Sequence, residues 1–304
     1  MRNRKIVIYI LYGCIALSLV LALYFFIKKP DKIVPPVTNE EKKVIVFKEV
    51  KYSGETKGVI DWEIRAKVAR KYIDKPLLEL ETLTGEYKPK EGEVIRFKGT
   101  KGSMDTDKEN GNVENVNALY KNDYTLKSAY MDFDFKNGTA STKAPVTITG
   151  NRLSMRGIGL TANTRRETVT LESDVSGTME TGKAKYKFQA DTLTYHFKDD
   201  LYILQGKVVF KEEDVTLLCG RLHIYTSNQD LERVEAYEKV NIISKGTVAK
   251  SEKAVYHFKE GKIVFTNSPK VLKDNMEMKG KSITYTTNDK KISADNPKIR
   301  LNNK

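Results

Sequence analysis

The chain has 304 residues, with 53 lysines and arginines against 40 aspartates and glutamates, for a net charge of +13. Two cysteines, Cys14 and Cys219, are too few for a disulfide framework or a cysteine metal cluster. The positive excess fits phospholipid headgroups or phosphorylated glycolipids as partners, or a lysine-rich solvated surface, and charge by itself favours the second.

Residues 1–5 are a short basic tail, and residues 6–27 form an unbroken uncharged, mostly apolar run. As a helix this run reaches ~33 Å, enough to cross a ~30 Å hydrocarbon core once. A cleavable signal peptide would have a shorter apolar region and a small-residue cleavage site. The tetrad Leu11-Tyr12-Gly13-Cys14 is similar to a lipoprotein processing box, yet uncharged residues continue to Ile27 where a processed lipoprotein would turn polar. An uncleaved transmembrane helix is therefore expected. Arg2, Arg4 and Lys5 before it nearly balance Lys28, Lys29 and Lys32 after it, so charge orients it weakly. A short tail left in the cytoplasm, with the large body exported, is the preferred topology. An exported body meets no nucleic acid. Residues 28–42, with Pro30, Pro35 and Pro36, read as an extended linker.

From Lys43 onward apolar and polar residues alternate with period two, rich in Val, Ile, Thr, Tyr and Phe, which predicts strands throughout. The strands repeat. Tyr195, Tyr225, Tyr256 and Tyr285 recur at about thirty residues, each followed by a polar turn and a second strand. The same beat is visible at Met131 to Phe135 and more faintly around Leu160. A period of this size implies a stack in which each unit leans on its neighbours. The fold expected is all-β: two facing antiparallel sheets, eight or so strands in each, ~40 Å long at ~4.8 Å per strand. Gly157, Gly159, Gly177 and Gly206 read as bulge or turn glycines.

Nothing in the chain suggests a reaction. No carboxylate pair, Ser/His/Asp order, phosphate loop or metal cluster stands out, and no cofactor is expected. Asp132 and Asp134 alternate on a solvent-facing strand, and His196, His223 and His257 sit in strand-like segments as edge or exposed imidazoles.

Several motifs carry a family resemblance. Gly58 to Ala66, Gly111 to Val116, Leu126 to Phe133, Ala140 to Ile148 and Leu153 to Ala162, running on to Gly177, resemble in their order the LptC family. That family is the bitopic inner-membrane component of lipopolysaccharide transport. From Lys183 onward, Ala190 to Tyr195, Leu204 to Phe210, Ala236 to Val240 and Ala254 to Phe258 are similar to the OstA-like fold of LptA, the periplasmic bridge protein. The resemblance divides the body into an LptC-like β-jellyroll at 43–182 and an LptA-like β-jellyroll at 183–304, the latter an addition to an ordinary LptC.

The resemblance implies lipopolysaccharide as cargo, received from an ABC transporter whose membrane subunits dock the N-terminal helix. It also implies a periplasmic β-jellyroll bridge protein joined by edge-strand pairing. A ~40 Å body falls short of spanning a periplasm alone, so a partner or self-association through the terminal strand near Ile299 is expected. The alternative is a structural or adhesive membrane-anchored β-solenoid with a filled interior. Alternation nominates the lipid-facing residues as Trp62, Ile64, Met131, Phe133, Phe135, Ile148, Met155, Leu171, Leu193, Tyr195, Phe197, Val208, Phe210, Ile224, Phe258, Phe265 and Met278. Any sandwich core would nominate the same face.

Overall fold

The computed structural model describes residues 43–56, 59–88, 93–121, 123–182, 184–228 and 230–301. The apolar run 6–27 and the linker lie outside the described residues. Among the described residues there are only strands, and no helix long and apolar enough to cross a membrane.

The first nine strands are β1 (Val44–Thr56), β2 (Val59–Tyr72), β3 (Leu77–Tyr87), β4 (Ile95–Asp105), β5 (Asn110–Tyr120), β6 (Tyr124–Asp134), β7 (Thr139–Thr149), β8 (Leu153–Asn163) and β9 (Thr168–Thr181). Then come β10 (Ala184–Ala190), β11 (Thr192–His196), β12 (Leu201–Glu212), β13 (Val215–Ser227), β14 (Asp230–Ser244) and β15 (Thr247–His257). The last six are β16 (Lys262–Thr266), β17 (Lys270–Lys273), β18 (Met276–Lys279), β19 (Ser282–Thr286), β20 (Lys291–Asp295) and β21 (Lys298–Leu301).

Alternation decides the faces. In β10, Tyr186, Phe188 and Ala190 are buried while Lys185, Lys187 and Gln189 are exposed. All pairing is antiparallel, and each long strand bends once near its middle. The bend sits at left-handed residues such as Glu49, Thr82, Asn115, Asp174 and Gly206 (φ 51°, 52°, 52°, 51° and 78°), or at register shifts such as that between Ser128 and Asp132. In four passes the bend breaks the strand in two, giving β10/β11, β16/β17, β18/β19 and β20/β21, so the twenty-one strands are seventeen passes.

Each pass therefore lies in both layers of an open β-jellyroll, which corrects the expected dimensions. Among the described residues both layers have seventeen strands rather than eight, and at ~4.8 Å per strand the ladder comes to ~80 Å, twice the sequence-based length. β9 pairs with both β10 and β11, so the ladder joins strands on either side of the expected boundary between the two jellyrolls.

The core is a set of cross-strand rows. In the first layer Leu160, Leu171, Leu193, Leu204 and Leu222 are successive register partners, each at most 1% exposed. In the second layer an apolar row runs through Ile148, Met155, Gly177, Phe188, Phe210 and Leu217, and continues to Val271, Met278 and Ile299. Gly177 lies directly opposite Phe188, whose ring a Cβ there would meet at 2.5 Å, so this glycine serves close approach rather than a turn. Gly159 and Gly206 do take left-handed bends, at φ 76° and 78°.

The tyrosine repeat is corrected in one unit. Tyr195, Tyr256 and Tyr285 share an inward row, but Ile224 holds the equivalent place in β13. Tyr225 faces outward, with the Arg233 guanidinium 4.1 Å over its ring. A turn one residue closer than in the other units shifts the register, and a one-residue shift flips the face.

Candidate functional site

The hairpins of the first layer form one lip of a seam opposite the bend, and those of the second layer form the other. The first-layer lip is built by one repeated bond. The residue entering each hairpin donates its N–H to the carbonyl of the preceding hairpin: Thr106 to Pro76, Phe135 to Glu109, Thr164 to Gly138, Phe197 to Glu167, Thr226 to Asp200, Phe258 to Glu232 and Thr287 to Gly261, at 2.7–3.2 Å. Thr and Phe alternate at this position. The Thr164, Thr226 and Thr287 hydroxyls bond back to the neighbouring hairpin at 3.0 Å, whereas the three phenylalanines turn into the seam.

Between the layers lies a cavity of about 430 Å³, within the size range of small-molecule sites. Its walls include Phe97, Leu126, Phe133, Ile148 and Met155, and its mouth carries Lys121, Asp134, Arg152, Glu167, Glu180 and Asp200. A second hollow of about 390 Å³ on the outer surface is lined by Glu63, Arg65, Glu86 and Arg96. There Arg65 pairs with Glu63 at 2.7 Å and Arg96 with Glu86 at 2.9 Å. The apolar wall makes the interior cavity the candidate site.

Among the described residues each of five successive hairpins makes a contact across the seam. Trp62 stacks on Phe135 at 4.8 Å, and Tyr87 Oη lies 3.3 Å from Thr164 Oγ1. Tyr120 meets Phe197 edge-on at 5.3 Å, Arg152 pairs with Asp230 at 2.9 Å, and Tyr186 meets Phe258 edge-on at 6.4 Å. Beyond the last, Tyr186 stacks on Phe210 at 5.1 Å and Phe258 lies 4.0 Å from Tyr256, so rings occupy this part of the interior. Burial raises the phenols of Tyr195 and Tyr202 well above the usual tyrosine range, and Tyr195 donates to Asp200 Oδ1 at 2.8 Å. These tyrosines stay neutral donors. Among the described residues no group of three or more His, Cys, Asp or Glu is placed to hold a metal ion.

All seventeen residues nominated from alternation face inward or pack against the interior. Seven stand on the cavity: Met131, Phe133, Phe135, Ile148, Met155, Tyr195 and Phe197. The other ten do not line it. Leu171, Leu193, Val208 and Ile224 are at most 1% exposed and belong to packed rows. Trp62 and Ile64 pack before the cavity, and Phe210, Phe258, Phe265 and Met278 after it. Alternation finds the inward face but is blind to where the layers part. Phe97, Tyr120, Tyr124, Leu126 and Tyr202 also line the cavity and were not nominated. Ile95 and Phe97 flanking Arg96, and two tyrosines bracketing a turn, were the available signals.

An all-antiparallel open β-jellyroll with an apolar cavity between its layers is the class defined here. The family model for LptC-related lipopolysaccharide assembly matches residues 11–180, more than half of the sequence. The chain belongs to that family. Residues 187–291 match the family of LptA and the LptD N-terminal domain, lipopolysaccharide transport proteins, so the chain is an LptC-family protein with an LptA-like C-terminal extension and takes part in lipopolysaccharide transport. Among solved structures it is similar to LptH from Pseudomonas aeruginosa, the LptA-homologous periplasmic component of the lipopolysaccharide transport device. That match has 18% identity and a TM-score of 0.36, covering 39% of this chain and 94% of that one. No curated protein matches in sequence.

Proposed function

We propose that the chain is the inner-membrane-anchored component of lipopolysaccharide export, holding acyl chains between its two β layers while the sugars stay in water. The apolar cavity opening along the seam is the observation that carries this reading. A single acyl chain of about a dozen carbons costs ~10 kcal/mol to expose to water at ~0.8 kcal/mol per CH₂. Free diffusion of such a lipid between membranes is therefore excluded, and a shielded path removes the cost without a chemical step. The protein acts without catalysis or cofactor.

In this reading residues 6–27 span the inner membrane, the body lies in the periplasm, and the helix docks on the membrane subunits of an ABC transporter that loads lipid. The open edges support end-to-end partners. Among the described residues β1 pairs only with β2, β20 only with β19 and β21 only with β18, leaving Ile299 and Leu301 58% and 72% exposed. Free edges of this kind accept strands from another β-jellyroll.

The test is photo-crosslinking in cells, with a photoreactive residue at Phe133 on the cavity or at Leu171 in the packed row. Lipopolysaccharide adducts are expected at Phe133 and not at Leu171. Absence of adducts at Phe133 would sink the conduit and favour a filled structural body.

A further inference from the structure

The seam is closed by contacts of unequal kind, and their order matters. Tyr120 and Phe197 meet over the cavity. One hairpin further, ~10 Å on at two strand spacings, Arg152 pairs with Asp230. One hairpin beyond that, Tyr186 and Phe258 begin the ring-filled interior. The ion pair thus stands where the open cavity ends. Arg152 lines the cavity, and so does Asn228 in the hairpin that Asp230 leaves.

Two features suit this pair to opening. It is solvent-accessible, with side chains 34% and 63% exposed, and exposed ion pairs are held weakly. Arg152 also has a second acid on its own lip. The Glu180 N–H bonds the Arg152 carbonyl at 2.8 Å, and the Glu180 carboxylate, already paired with Lys185 at 2.7 Å, is near enough to be held down further by the guanidinium. Arg152 can therefore turn from the far lip to its own without losing a counter-charge. The lip contacts on either side are ring-to-ring rather than ionic.

We propose that Arg152 and Asp230 form a latch across the seam, closed over the end of the cavity, which must release before a lipid moves from the cavity into the C-terminal half. This rests on the conduit reading. Acyl chains inside and sugars outside require the lips to part wherever the lipid stands, so a lip-to-lip bond at the cavity's end blocks advance until it breaks.

The test uses the full chain in cells, with Cys14 and Cys219 replaced by alanine and a photoreactive residue at Phe133 or Phe210. Arg152→Cys with Asp230→Cys is joined by a bifunctional thiol reagent that reductant cleaves. With the tether in place, lipopolysaccharide adducts at Phe133 should persist while those at Phe210 fall at least tenfold, and reduction should restore them. Undiminished adducts at Phe210 with the tether intact would overturn the latch. No adducts at Phe133 in any state would overturn the conduit itself, and the latch with it. In the untethered chain Arg152→Glu should raise the ratio of Phe210 to Phe133 adducts, and adding Asp230→Arg should return it toward the native value. Failure of the charge swap to do so also counts against the latch.

Discussion

Leu193→Ala separates packed interior from open slot. Leu193 is 1% exposed and lies between its register partners Leu171 and Leu204, both at 0%. Leucine-to-alanine changes in cores cost ~2–5 kcal/mol, rising with the cavity that remains. Backbone bonds on both sides hold the strands ~4.8 Å apart, so the hole cannot close, and the cost should be about 4 kcal/mol. In a stacked array each pass leans only on its neighbours, so the loss weakens the coupling between the passes before and after β11. At roughly 2–4 °C per kcal/mol, the less stable part should melt roughly 8–16 °C lower, splitting one transition into two. Calorimetry on the detergent-solubilised full chain reads this directly. Phe133→Ala is the comparison. That ring borders existing space, so its removal should cost roughly half as much and diminish lipid capture instead. Equal losses from both variants, or a Leu193→Ala cost below about 1 kcal/mol, would refute the division into packed rows and cavity.

Three further outcomes are expected. Glu277 accepts from Lys270 and Lys279 at 2.8 and 2.9 Å, which hold its carboxyl down at about 2 from an ordinary 4.5. Its contribution is whole above 4.5 and is lost as pH falls from there toward 2, so amide protection in β17 and β18 should drop over that window. Glu277→Gln should show no such drop. Gly54 faces Trp62, the sole tryptophan, and a Cβ there would lie 2.3 Å from the indole nitrogen. Gly54→Ala should therefore push the ring off Phe135 and red-shift its emission, and an unchanged spectrum would contradict the packing. Burial pushes the Cys219 thiol up to about 12, so in a Cys14→Ser chain thiol reagents at pH 8 should label it only after unfolding. Labelling of the folded chain at the rate of a free thiol would count against its burial.

The architecture was legible because it rests on local signals. Alternation as regular as that of Tyr186, Phe188 and Ala190 leaves no choice of face, and the hairpin turns repeat. What escaped was the bend. A residue such as Thr82 or Asp174 takes a left-handed conformation in mid-strand with nothing in its type to announce it, so one long strand serving two layers reads as one strand in one layer. That error halved the length. The site was half legible for a related reason. Leu193 and Phe133 carry the same alternating signal, and only the separation of the layers, a property of contacts distant in sequence, makes one a core residue and the other a wall.

Repetition also constrains how such a body could work. A row of register partners presents nearly the same apolar surface at every pass, so an acyl chain gains little by stopping at one place rather than the next. Such a surface transmits cargo but does not by itself give it places to pause. Places to pause must come from whatever breaks the repeat. Along this seam the breaks are the alternation of Thr and Phe at the hairpin entries and the change from aromatic contacts to the ion pair at Arg152 and Asp230. In the conduit reading the functional period is therefore twice the thirty-residue period written in the sequence. Two hairpins, about sixty residues and ~19 Å along the ladder, separate Phe135 from Phe197 and Phe197 from Phe258, and the pauses of a moving lipid should follow that longer spacing.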